Sequence, residues 1–310
     1  MGMRNWGSSA AALAVMLCMA VPAGAKDPPK AEGRALPPAM ASLEKSLHPQ
    51  TGDVRIPEAK AVMHLGDRYY FLPAADAKRV LVEGWHNPPE TAEGVLGMVL
   101  AKDTTIFNNV WGAVITYEDT GHVADTDAQS QDYGTVLKGM QEGAESQNAE
   151  RKQAGYPAMH LVGWAQPPAY DAGNHALIWA RELALEGDPV NGLNYDVRML
   201  GRTGVLSLNM LASMKDLGDV RTAAQSFGKS VSFEPGAAYT DFDASTDKAA
   251  EYGLAGLVAG GVALGVAKKV GLLAIILKFG KVILIGLAAF GAAALGFFRK
   301  FFGRKDEGTI

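Results

Sequence analysis

Between residues 61 and 234 the apolar positions repeat in short runs broken by turn residues, and the period changes along the way. Ala61–Leu65 and Arg68–Leu72 flank Gly66-Asp67, a glycine-first pair that predicts two strands joined by a type II′ hairpin. A short helix is expected over Asp76–Gly84, and the β-branched runs Gly94–Ala101 and Val110–Glu118 read as strands. Tyr133, Val136, Leu137, Met140 and Ala144 then recur at i, i+3, i+4, i+7 and i+11 behind Asp132, a helix with its N-cap.

Beyond Gly155-Tyr156-Pro157 four apolar runs follow closely: Met159–Ala165, His175–Leu185, Leu193–Leu200 and Gly204–Leu211. Their connections hold Pro167-Pro168, Asp188-Pro189, Asn191-Gly192 and Gly201, all turn residues, and none has room for a crossover helix. Strands so joined are antiparallel neighbours. A helix near Lys215–Gly228 and a strand at Ser230–Glu234 complete an α+β domain, a mostly antiparallel sheet with a few helices and no internal repeat.

The chain outside this domain follows different rules. Met1–Ala25 carries Arg4, an apolar run from Ala10 to Met19 and a small-residue end, Ala23-Gly24-Ala25, the pattern of a secretory signal peptide. Cys18, the one cysteine, lies inside that run, so the mature domain is expected to use neither disulfide nor thiolate chemistry, and bulky Leu17 before it speaks against lipidation. Residues 26–40, with Pro28, Pro29, Pro37 and Pro38, read as a linker, which leaves 41–252 as the exported domain.

Val282–Phe298 is uncharged over 17 residues and is flanked by Lys281 and Arg299. At 1.5 Å per residue it would reach about 26 Å, which snorkelling of the two flanking cations extends to a bilayer core. It is predicted to be a transmembrane helix, with 299–310 as a basic cytoplasmic tail and the domain in the periplasm, a single-pass protein of a bacterial inner membrane. Lys268, Lys269, Lys278 and Lys281 put positive charge on the other side as well. A second crossing by 253–277 stays open as an alternative, but would bury Lys268 and Lys269 at roughly 2.5–3.5 kcal/mol each.

Charge separates the same segments. Lys26–Glu251 holds 20 Lys plus Arg against 31 Asp plus Glu, a net of −11, whereas 253–310 holds 8 against 2, a net of +6. The acidic domain excludes nucleic acid as a partner and leaves membrane lipid to the basic end. The juxtamembrane stretch 253–281 opens with Gly256/Gly260 and Gly261/Gly265 at small-xxx-small spacing. That spacing permits either homo-oligomeric helix association or close packing on the domain.

Candidate chemistry is sparse. Glu118, Asp119, Asp125 and Asp127 cluster after a predicted strand, as a solvated loop, a Ca²⁺ site or an acid/base pair would, although their spacing fits no EF-hand. Six histidines, at 48, 64, 86, 122, 160 and 175, show no metal-ligand spacing, and no metal or cofactor is expected. Asp196 and Arg198 share one face of a strand near Arg202, as an ion pair on a solvated face or as a ligand clamp. Trp111, Trp164 and Trp179 sit in apolar strands and read as core rather than as a carbohydrate platform.

Three groups of residues carry a family resemblance: Trp111-Gly112-Ala113-Val114-Ile115-Thr116-Tyr117-Glu118-Asp119 with Gly121; Gly163-Trp164-Ala165 with Tyr170-Asp171; and Leu193-Asn194-Tyr195-Asp196-Val197-Arg198 with Leu200-Gly201-Arg202. Together with Phe233, Gly236, Tyr239, Asp241-Phe242 and Asp247 they resemble the bacterial membrane-anchored family of domain of unknown function 2167 over about residues 50–300. The resemblance implies an exported domain with a C-terminal membrane segment and no activity. His86 and His122 depart from the family's pattern, so no role is carried onto them.

The functional expectation is a non-enzymatic envelope interaction module that binds another envelope protein. The alternatives are a periplasmic hydrolase using the Glu118–Asp127 carboxylates and a membrane-active oligomer built on the Gly256–Gly265 helix.

Overall fold

The structure, a computed structural model, describes residues 38–260 apart from 109, 110 and 129. The expected signal peptide, residues 26–37 of the linker, Gly261, Gly265, the transmembrane segment 282–298 and the basic tail lie outside the described residues. Among the described residues no helix is long and apolar enough to cross a membrane.

The elements run α1 (Pro38–Lys45), β1 (Asp53–Ile56), β2 (Ala61–His64), β3 (Tyr69–Pro73), α2 (Ala74–Arg79), β4 (Val95–Ala101), β5 (Trp111–Glu118), α3 (Tyr133–Gln153), β6 (Met159–Asp171), β7 (Ala176–Leu185), β8 (Gly192–Leu200), β9 (Val205–Ser213), α4 (Leu217–Phe227), β10 (Val231–Phe233) and α5 (Leu254–Val258). Seven strands form one antiparallel sheet in the order β3-β4-β5-β9-β8-β7-β6, and β1-β2-β10 form a second. The antiparallel α+β expectation holds, including the β6-to-β9 meander and Asp132, whose carboxylate accepts from the amides of Gly134 and Thr135 at the start of α3.

Four details differ from the sequence reading. The linker ends earlier, because Pro38 opens α1 and Leu43 is buried against the α2 side of the core. Ala61–Leu65 and Arg68–Leu72 do not form a hairpin: β2 and β3 lie in different sheets, since both edges of β2 are taken by β1 and β10. Pro167-Pro168 is no turn but lies inside β6, where the register with β7 slips between Gln166 and Ala169, a place an outermost strand can hold proline. The glycine-rich segment does not start as one continuous helix, as α5 ends at Val258 and Gly260 turns with φ 85°, and its remainder, 261–281, lies outside the described residues.

Strand alternation assigns the two faces of the large sheet. Trp111, Ala113 and Ile115 of β5, Leu206, Leu208 and Met210 of β9, and Tyr195, Val197 and Met199 of β8 point to one side. There they meet Ile56 and Met63 of the small sheet and Val220, Ala224 and Phe227 of α4. On the other side, one apolar cluster unites α1, α2, Leu72, Met98, Leu100 and Val114, and a second unites α5, Leu177, Trp179, Leu200 and Val205. Between those clusters the same face carries Glu118, Asn194, Asp196, Arg198, Ser207, Asn209 and Arg181.

Each outer strand of the large sheet has some of its edge groups taken. Gln50 exchanges two backbone hydrogen bonds of 2.8 Å with Phe71 of β3. At the far edge Asn148 of α3 binds both the amide and the carbonyl of Met159, and Gln141 donates to the carbonyls of Leu161 and Val162.

Candidate functional site

The polar residues singled out from the sequence, Asp127 excepted, fall into three arrangements at the Glu118–Arg202 end of the large sheet. The first is a buried ion-pair chain. Asp196 is fully buried and accepts from Arg181 Nη2 at 2.8 Å and from Arg198 Nη2 at 3.0 Å, while Asn209 donates to it at 2.9 Å. Arg198 also reaches Glu118 at 3.2 Å, bonds Ser207, and lies over the Trp179 ring. The expectation of a solvated face is therefore corrected: apolar clusters flank this band on both sides, and Asp196 and Arg181 are withdrawn from water. Asp196 and Arg198 do form the ion pair that their shared face allowed.

The second arrangement joins residues that the sequence did not bring together. Phe242, His122, Tyr239 and His175 stack in a column, with successive ring centroids 3.9, 4.3 and 4.2 Å apart. Tyr170 donates to Asp125 at 2.8 Å and also meets His175 Nδ1 at 3.1 Å. Burial, with Asp125 beside it, pushes the Tyr239 hydroxyl up to about 12 and raises Tyr170 as well. Burial lowers the His122 imidazole, against the opposing pull of the Arg202 carbonyl and Asp125. The backbone holds the column closed: His122 takes the Lys248 carbonyl at 2.9 Å and returns its own to Ala250 at 2.8 Å. Gly121 permits the approach, since at φ 92° a Cβ there would stand 2.6 Å from the Lys248 oxygen.

The third is a cleft of about 550 Å³ that brings Asp119 and Arg202 together. Glu58 and Lys60 line it from the turn before β2, Tyr117 and Asp119 from the end of β5, and Phe233 and Gly236 from the end of β10. Arg202 is held in it by a bidentate pair to Asp247, 2.7 and 3.0 Å, which keeps the Asp247 carboxyl down at about 2. Among the described residues Glu58, Lys60 and Asp119 make no side-chain hydrogen bond or ion pair. The wall is tight where β5 meets β9: a Cβ on Gly204 would stand 2.3 Å from the Glu118 carbonyl oxygen.

The four carboxylates Glu118, Asp119, Asp125 and Asp127 do not converge. Glu118 belongs to the buried chain, Asp119 to the cleft and Asp125 to the column. Asp127 accepts from the amides of Leu254 at 3.1 Å and Ala255 at 3.4 Å and so caps α5. No group of three His, Cys, Asp or Glu among the described residues could hold a metal ion. Gly256 is buried within α5, and Gly260 follows that helix in a turn, so the pair does not lie on one helix face. Trp111 and Trp179 are core residues, 5% and 1% exposed, on opposite faces of the sheet, and Trp164 is half-buried with its indole N–H on the Tyr133 carbonyl.

Residues 48–291 match the model of a family described as "Protein of unknown function (DUF2167)". No curated protein matches. Among solved structures, the cyanobacterial PsbP protein (CyanoP) of Synechocystis sp. PCC 6803 superposes with a TM-score of 0.33 at 10% identity, covering 67% of this chain and 100% of that one. A superposition of that quality carries neither fold nor activity across.

Proposed function

Because the chain belongs to the DUF2167 family, whose description assigns no activity, we propose from its own sequence and geometry that it is a membrane-anchored bacterial envelope protein whose exported domain is a binding module. Three features support that placement: the signal-peptide pattern over 1–25, the uncharged stretch 282–298, and the opposed charges of 26–251 and 253–310. The domain then faces the periplasm and the chain crosses the inner membrane once.

The observation that carries the binding reading is the cleft. Separate chain segments converge on it, and its rim presents a cation, Lys60, and two anions, Glu58 and Asp119, that make no side-chain hydrogen bond or ion pair among the described residues. A rim of both signs selects a polar partner of complementary pattern and sets orientation more than affinity. The hydrolase reading loses ground because three of its four carboxylates are engaged with Arg198, Tyr170 and the amides of α5.

The test compares full-length wild type with K60E/D119K, crosslinked in the native membrane, affinity-purified and analysed by mass spectrometry. A partner captured by wild type and lost from the double reversal is expected. Identical capture by both proteins would remove the cleft from the binding surface.

A further inference from the structure

The outer face of the small sheet carries an arrangement that the cleft does not use. His64 of β2 has Asp53 Oδ1 at 2.9 Å from Nδ1 and Ser232 Oγ at 2.9 Å from Nε2. The three residues come from three adjacent strands: Asp53 is the register partner of His64 in β1, and Ser232 stands on β10, which flanks β2 on its other side. An ionised carboxylate only accepts, so Nδ1 carries the hydrogen toward Asp53, and the Nε2 lone pair is left to accept from the serine hydroxyl. That is the order of roles in a serine–histidine–aspartate relay, recognised by geometry rather than by position in the chain.

All three side chains are accessible: His64 is 48% and Asp53 68% exposed, and Ser232 is exposed too. Val62 lies between Arg55 and Ser232 in the sheet register, an apolar side chain beside the hydroxyl, while Arg55 is occupied by Glu234 at 2.6 and 3.1 Å.

We propose that Asp53, His64 and Ser232 form a nucleophilic site that acts on short O-acyl esters carried by larger molecules. Ser232 Oγ attacks the acyl carbon while its proton passes to His64 Nε2. The carbon–oxygen bond to the alcohol then breaks, and the alcohol leaves with that proton. Water repeats the sequence on acyl-Ser232, releasing the carboxylic acid and restoring the hydroxyl. Ser232 and His64 are the catalytic residues and Asp53 positions the imidazole. Esters come before amides because an alcohol is the easier leaving group, and the open face admits a bulky carrier with Val62 beside the acyl methyl. The site is independent of the cleft: alternation along β10 puts Phe233 into the cleft and Ser232 on the opposite face.

Full-length protein in detergent is treated with a fluorophosphonate, and the adduct on the peptide containing Ser232 is followed by mass spectrometry, alongside p-nitrophenyl acetate turnover. The expected result is an adduct on Ser232 whose rate falls about a hundredfold in H64Q and about tenfold in D53N, recovers in part in D53E, and is matched by loss of turnover in S232A. All three positions are exposed, and circular dichroism confirms that each of the four variants is folded. Absence of the Ser232 adduct in wild type, an unchanged adduct rate in H64Q and D53N, or wild-type turnover in S232A overturns the proposal.

Discussion

Arg181 reaches Asp196 across the β7–β8 pair at 2.8 Å, with side-chain exposures of 5% and 0%. A charge pair so far from water is held by mutual need: each ion is costly to bury without the other. Asp196→Ala is therefore expected to lower unfolding free energy by about 3–5 kcal/mol, because it leaves Arg181 uncompensated and takes a partner from Arg198 and Asn209, whereas Arg181→Met combined with Asp196→Leu should restore only the part owed to Arg181. Urea unfolding of the three proteins measures this, and a loss below about 1 kcal/mol in Asp196→Ala would mean that the pair is solvated.

Asp127 holds a helix rather than a metal. Its carboxylate meets two amides at the start of α5, and removing it in Asp127→Ala is expected to cost about 1 kcal/mol and to speed hydrogen exchange at Leu254 and Ala255. Unchanged exchange at those two amides would show that the cap is dispensable.

His122 should make stability sensitive to mild acid. Its folded imidazole is lowered from 6.5 by burial, so the unfolded chain takes up a proton first as pH falls through that value. The neutral ring's contribution is present above 6.5 and is lost below it, down to the lowered folded value. His122→Phe, which keeps a ring beside Phe242 and Tyr239, is expected to shrink the fall in Tm between pH 7.5 and 5.5; an equal fall in both proteins would place the sensitivity elsewhere.

The Arg202–Asp247 pair predicts a second, lower transition. Asp247 sits at about 2 in the fold against 3.8 ordinarily, so its stabilisation is complete above 3.8 and disappears as pH falls toward 2. Asp247→Asn should lack this loss, visible as a flatter Tm between pH 4 and 2.5 than in wild type.

How far the sequence can be read depends on the range of the interaction. Asp132 and the spacing of Tyr133, Val136 and Met140 are local, and α3 forms as they require. The short links from Met159 to Leu211 force neighbouring strands, and the meander follows. What stays hidden is decided at long range. The Gly66-Asp67 pair reads as a hairpin until β10, more than 160 residues on, takes the free edge of β2. Asp196 and Arg198 look solvated because alternation reports which residues share a face, not whether that face is covered. Asp119 and Arg202 line one cleft only because β5 and β9 are paired, and His122 and His175 are 53 residues apart with no shared motif, so the sequence shows no column.

A sheet that ends in open strands offers rungs on which a neighbouring copy can extend it. Here Gln50 takes the Phe71 rung on one side, and the amide side chains of Asn148 and Gln141, with the prolines of β6, take part of the other. A neighbouring copy approaching the large sheet would find the rungs at Phe71, Met159 and Leu161 already taken, so edge-to-edge extension is hindered at those points.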